Sequence, residues 1–284
     1  MKDFLVAVLP GLLASLSSLQ SLELDVPYMR VENLLSVLDA CPSSLQHLDL
    51  GSHLQRRITV QDSIAHPNHS PTTTATSIRL KRLRIRGVCS RDTLEDILSH
   101  LAAHSLEELL LDSVLPHRTS SILRGALWRL TNLCLVAGNY GHEKVLPQIM
   151  DAIHPHHLRH VYLGDVDTES IAKLIGEQHG SLETLKLTFA QDHAAVLADV
   201  LARCTKLKKL IFTSQPFVDV RALIDPQRPW VCFDLEVFDG HFGLTCRPLL
   251  RSGSKEKIDV ERLRQIENQF MQRLGQLVKL RKLV

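Results

Sequence analysis

Aromatic residues make up only 5% of this 284-residue chain, too few for a platform that stacks the bases of single-stranded nucleic acid. Charge of one sign is also scarce. With 33 basic and 31 acidic residues the formal net charge is +2, which gives no bulk attraction to nucleic acid or an anionic membrane. No run approaches the ~20 apolar residues of a membrane span. Gly-rich phosphate loops, Gly-x-Ser-x-Gly elbows and His-Glu-x-x-His pairs are missing, and these are the patterns that mark nucleotide, ester or zinc chemistry. The chain is therefore read as non-enzymatic, with no catalytic, cofactor or metal residues assigned.

The six cysteines, Cys41, Cys89, Cys134, Cys204, Cys232 and Cys246, are spread singly. That is not a disulfide framework, and it favours a reducing, cytoplasmic or nuclear compartment. Cys41 and Cys204 end helical runs, where a small thiol packs against the next strand. The apolar stretch Phe4–Leu16, with small residues at Ser15 and Ser17, offers secretion as the alternative. Against it, Asp3 cancels Lys2, Pro10 and Gly11 interrupt the run, and Leu16 and Leu19 continue in register into Leu22. Fifteen histidines invite a metal hypothesis, centred on His154, His156, His157 and His160. No cysteine or carboxylate stands at local ligand spacing there, so a solvated turn is expected.

What the chain does have is leucine at a fixed beat. The pattern Leu-x-x-Leu-x-Leu recurs at Leu19/Leu22/Leu24, Leu45/Leu48/Leu50, Leu80/Leu83/Ile85, Leu106/Leu109/Leu111 and Leu130/Leu133/Leu135. It continues at Leu158/Val161/Leu163, Leu182/Leu185/Leu187, Leu207/Leu210/Phe212 and Cys232/Leu235/Val237. Successive triplets start 26, 35, 26, 24, 28, 24, 25 and 25 residues apart. A period of this length marks a leucine-rich-repeat solenoid. Each triplet is a short strand with alternate residues in one core.

Between triplets lie segments of helical period: 92–103, 143–153, 168–179 and 192–203. In the first, Leu94, Ile97, Leu98 and Leu101 form one stripe, and Asp92 with Glu95 has capping-box spacing. The expected fold is α/β, a single solenoid domain over 1–284 of about nine to ten repeats. A curved parallel sheet lines its concave face and helices its convex face. Residues 53–77 form a polar, Pro-bearing insertion, expected as a surface loop. Residues 238–258 are irregular, and a charged amphipathic helix runs from Ile258 to Leu274. Leu274, Leu277, Leu280 and Leu283 then begin another repeat, which suggests truncation at the C-terminus.

Residues between the last two anchors of each triplet point away from the core. They read Glu23, Asp49, Arg84, Leu110, Cys134, Tyr162, Lys186, Ile211 and Glu236. Charges on neighbouring strands oppose one another: Asp49 beside Arg84, Arg82 beside Glu108, Arg86 beside Asp112. Lateral pairing is the simplest role for these arginines. In the middle repeats the columns turn apolar. The concave patch of Leu110, Cys134, Val136 and Tyr162, rimmed by Arg84, Arg86 and Lys186, is the candidate partner-binding surface.

Repeats of this length with true helices resemble the ribonuclease-inhibitor-like and cysteine-containing classes, not the shorter extracellular class. From Pro229-Trp230-Val231-Cys232-x-x-Leu235-Glu236-Val237, through the helix Val260 to Phe270, into the closing leucines, the chain is similar to fungal F-box leucine-rich-repeat proteins. The resemblance implies repeats that hold the substrate of a ubiquitin ligase, joined to a Skp-type adaptor through an F-box. Residues 1–30 lead straight into a repeat and leave no room for that module, so adaptor binding is expected only if an F-box lies upstream. The leading expectation is a protein-protein interaction module with no nucleic-acid or membrane partner. The alternatives are an enzyme regulator of the GTPase-activating or nuclease-inhibitor type, and a secreted leucine-rich-repeat protein.

Overall fold

A computed structural model describes residues 2–25, 31–51, 78–90, 94, 97–98, 101, 105–115, 127, 129–136, 145–151, 153–164, 167–189, 194–214, 218–240, 242–243 and 260–283. The 53–77 insertion and the Asp92/Glu95 capping pair lie outside them. The chain divides into two compact units, Met1–His154 and Pro155–Val284.

In the first unit α1 (Lys2–Ser15) leads to β1 (Ser21–Leu24), then α2 (Val31–Asp39), β2 (His47–Gly51), β3 (Arg82–Ser90), β4 (Glu108–Leu115), β5 (Asn132–Leu135) and α3 (Val145–Met150). The N-terminal apolar run is one helix that passes through Pro10 and Gly11. All five strands pair in parallel, in sequence order, with Leu22, Leu48, Leu83, Leu109 and Leu133 aligned across them. Parallel neighbours require a crossover between them, and α2 supplies one. Leu34, Val37 and Leu38 of α2 are buried, as are the anchors Leu48 and Leu50. The stripe of Leu94, Ile97, Leu98 and Leu101 is buried as its spacing predicts.

The second unit holds β6 (His160–Gly164), α4 (Thr168–Gln178), β7 (Thr184–Phe189), α5 (Ala194–Arg203), β8 (Lys209–Ser214), β9 (Val218–Asp219), α6 (Val220–Leu223), β10 (Val237–Asp239), β11 (Phe242–Gly243), α7 (Val260–Gly275) and β12 (Lys282–Leu283). Strands β6, β7, β8, β10 and β12 pair in parallel in that order, while β9 and β11 form a separate two-stranded pair. Asp167 caps α4, its carboxylate accepting from the Ser170 amide at 2.8 Å and the Ser170 hydroxyl at 2.6 Å. Gln178 is fully buried, and its Oε1 accepts from the backbone N–H groups of His157 and Leu158 at 2.9 and 3.1 Å. It thereby ties the turn before β6 to the end of α4.

One hydrogen-bond motif recurs in both units. The carbonyl of the residue after each first anchor accepts two N–H groups from the next repeat. Gln20 O takes those of Gln46 and His47, Gln46 O those of Lys81 and Arg82, and Lys81 O those of Glu107 and Glu108. In the second unit Arg159 O takes Glu183 and Thr184, Glu183 O takes Lys208 and Lys209, Lys208 O takes Glu236 and Val237, and Glu236 O takes Arg281 and Lys282. Each repeat thus fixes the register of the next by backbone contacts that any sequence could make.

That register corrects the ninth triplet. Phe238, not Leu235, stands opposite Leu210, and Asp239 stands opposite Ile211. The ninth set is therefore Leu235/Phe238/Gly240, 28 residues after Leu207. Cys232 occupies the turn instead: Leu235 N–H donates to its carbonyl at 3.1 Å, as Leu207 N–H does to Cys204 O at 3.3 Å. Gly240 fills the third anchor position because the Phe212 ring takes the space. A Cβ there would lie 2.3 Å from Phe212 Cζ. The ring is held by Phe238 and Phe242, with centroids 6.0 and 5.1 Å away. Part of the stretch 238–258 expected to be irregular is ordered, in β10 and β11; residues 244–259 lie outside the described ones.

Burial raises the thiol pKa of Cys204 and Cys232 to about 12, and of Cys41 to about 11, from 9.0. Between 9.0 and these values the unfolded chain releases protons that the fold retains. Their contribution is complete below that window and declines as pH rises through it, by about 1.4 kcal/mol per thiol per pH unit. Denaturant titrations at pH values from 8 to 10 should show a shallower loss for Cys204→Ala than for the parent chain. Parallel slopes would mean that the thiol is already ionisable in the fold.

Candidate functional site

Apart from Gly164, the described residues on the face opposite the buried anchors are half-buried or exposed, so it is where functional side chains can be presented. In the first unit its charged end is internally neutralised. Arg82 meets Glu108 through two contacts, Nε to Oε2 at 2.7 Å and Nη2 to Oε1 at 2.9 Å. Arg84 lies 3.8 Å from Asp49. Arg86 donates through Nε to Asp49 at 2.9 Å and through Nη2 to Glu23. Hydrogen bonding to Asp49, followed by the Glu23 contacts, pushes the Arg86 pKa up from its ordinary value.

The expected pairing of Arg86 with Asp112 is replaced. The β3–β4 register shifts between Ile85 and Val88, where Gly87 adopts φ 100°. Gly87 supplies a positive φ that most L-residues avoid. Arg86 turns to β2 and β1. Gly51 allows the approach: a Cβ there would stand 2.9 Å from Asp25 Oδ1 and 3.2 Å from Arg86 Nη2.

Beyond the arginines, Leu110 aligns with Cys134 across β4 and β5, and Val136 N–H donates to Leu111 O at 2.9 Å. All three side chains are half-buried. In the second unit Tyr162 aligns with Lys186, whose Nζ lies 4.5 Å from the ring centroid. Such a cation–π contact is worth ~0.5–1 kcal/mol at a partly exposed site. Leu110, Cys134 and Val136 thus come together in the first unit, and Tyr162 and Lys186 in the second.

The histidine turn is bound into its own unit. The His156 ring meets the His179 ring edge-on with centroids 5.4 Å apart. Among the described residues no three histidines, cysteines or carboxylates converge as metal ligands, and no helix is long and apolar enough to cross a membrane. Lys209, in the outward column that precedes the anchors, stands beside Thr184 on the same face. The sequence matches no protein-family model and no curated protein.

Proposed function

We propose that this chain is a non-enzymatic leucine-rich-repeat solenoid whose sheet face binds a protein partner, in the manner of the substrate-recognition repeats of F-box-type ubiquitin ligases. In this reading the sheets line a concave surface, with the helices on the convex side. The observation that carries it is the pair of half-buried clusters on the outward face: Leu110 with Cys134 and Val136, and Tyr162 with Lys186. A solvated sheet face has no use for grouped apolar side chains. Tyrosine anchors interfaces at low entropic cost. Docking on a Skp-type adaptor would require an F-box segment, whereas residues 2–24 contribute α1 and β1 to the first unit. A regulator that works through a free arginine is less well supported, because Arg82, Arg84 and Arg86 all face carboxylates.

The double substitution Tyr162→Ala with Leu110→Ser should weaken partner binding by ~2 kcal/mol or more. The fold should survive, since neither side chain is a core anchor. Calorimetric titration of the captured partner checks this. Parent-like affinity would place the partner elsewhere on the protein.

A further inference from the structure

We propose that the sheet face of β6, β7 and β8 docks an acidic, extended segment of a protein partner. The inference rests on reading the sheet face as a binding surface, and adds the chemistry of what it binds. The outward residues of these three strands include His160, Tyr162, Thr184, Lys186, Lys209 and Ile211, and no carboxylate. Three other lysines of the unit have acid partners: Lys208 reaches Glu183 at 2.7 Å, Lys279 reaches Asp234 at 2.6 Å and Lys282 reaches Asp239 at 2.9 Å. Among the described residues Lys186 and Lys209 form no ion pair. Asp239, beside Ile211 on β10, is the carboxylate nearest in register, and it is taken up by Lys282.

The unneutralised pair has a spacing that selects its ligand. Lys186 aligns with Ile211, and Lys209 with Thr184, so the two lysines stand on a diagonal between adjacent strands. With strands ~4.8 Å apart and alternate residues ~6.7 Å apart along each, diagonal positions stand ~8 Å apart, and alternate side chains of an extended peptide repeat at ~6.7 Å. Carboxylates at positions i and i+2 can therefore meet both ammonium groups. An apolar side chain of the same segment can rest on Ile211 and the Tyr162 ring. Charge complementarity of this kind sets specificity and association rate.

The test is a selection of short random displayed peptides on the full chain, followed by titration of the selected peptides. The expected binders are rich in Asp and Glu. Lys186→Glu with Lys209→Glu should weaken them about tenfold or more. Lys206→Glu, the same type of substitution at one position in an exposed turn, should leave them unchanged. The neutral pair Lys186→Gln with Lys209→Gln, which adds no acid to the sheet, should weaken them in the same direction. Binders without acidic excess that are lost in Tyr162→Ala would overturn this inference and leave the binding face standing. Binders indifferent to every face substitution, or no binders at all, would overturn both. Tighter binding of a short single-stranded RNA through the same two lysines would reassign the face to nucleic acid.

Discussion

Leu185→Asp should unfold the second unit, whereas Lys186→Asp should not. Leu185 is fully buried in the middle of its sheet, aligned with Val161 on one side and Leu210 on the other. The substitution removes a leucine side chain from the core and leaves a carboxylate where nothing can solvate it. A cost above about 4 kcal/mol is expected, against a total stability of roughly 5–15 kcal/mol for a domain. The damage should reach the adjoining strands, because Leu185 lies in register between Val161 and Leu210. Lys186, one residue on, faces outward, and its replacement should cost under about 1 kcal/mol. Circular dichroism melts of the two variants check the period directly. Equal melts would contradict the alternation of inward and outward residues.

Phe238→Ala should be the second large loss, at ~3–5 kcal/mol. The ring is fully buried and sits 4.8 Å from Phe242, 6.0 Å from Phe212 and 6.0 Å from Trp230 between centroids. Trp230 cannot shift to fill the cavity. Its Nε1–H donates to Leu223 O at 2.8 Å, and Arg273 lies over its face at 5.9 Å. The half-buried neighbour Val237 should tolerate alanine for under about 1 kcal/mol. Denaturant unfolding of both variants distinguishes the observed register from one anchored on Cys232, Leu235 and Val237, for which the order of the two costs would reverse.

Eight of the nine strands expected from leucine spacing are where it puts them, because the anchors obey a strict alternation, and those from Leu48 to Leu210 are buried for that reason. The ninth was misplaced where the interval lengthened to 28 residues and an aromatic cluster took over from leucine. With Phe212 filling the third anchor position, Gly240 carries no apolar side chain to mark the triplet. The pairing of Arg82 with Glu108 followed from adjacency on parallel strands. That of Arg86 did not, because a register shift at Gly87 redirects a side chain in a way that no periodicity encodes. The outward columns were legible, but which of their charges are neutralised was not. Lys186 and Lys209 stand out only once Glu183, Asp234 and Asp239 are seen to be engaged by other lysines.

Side-chain footprinting of the full chain with and without its captured protein partner tests the proposed function most directly. Oxidation of Tyr162 and acetylation of Lys186 and Lys209 report the sheet face, while Lys206 reports an exposed turn and Met271 an exposed helix position. The account predicts that Tyr162, Lys186 and Lys209 lose reactivity in the complex while Lys206 and Met271 keep theirs. Protection of Lys206 or Met271, with Tyr162, Lys186 and Lys209 as reactive as in the free chain, would contradict it.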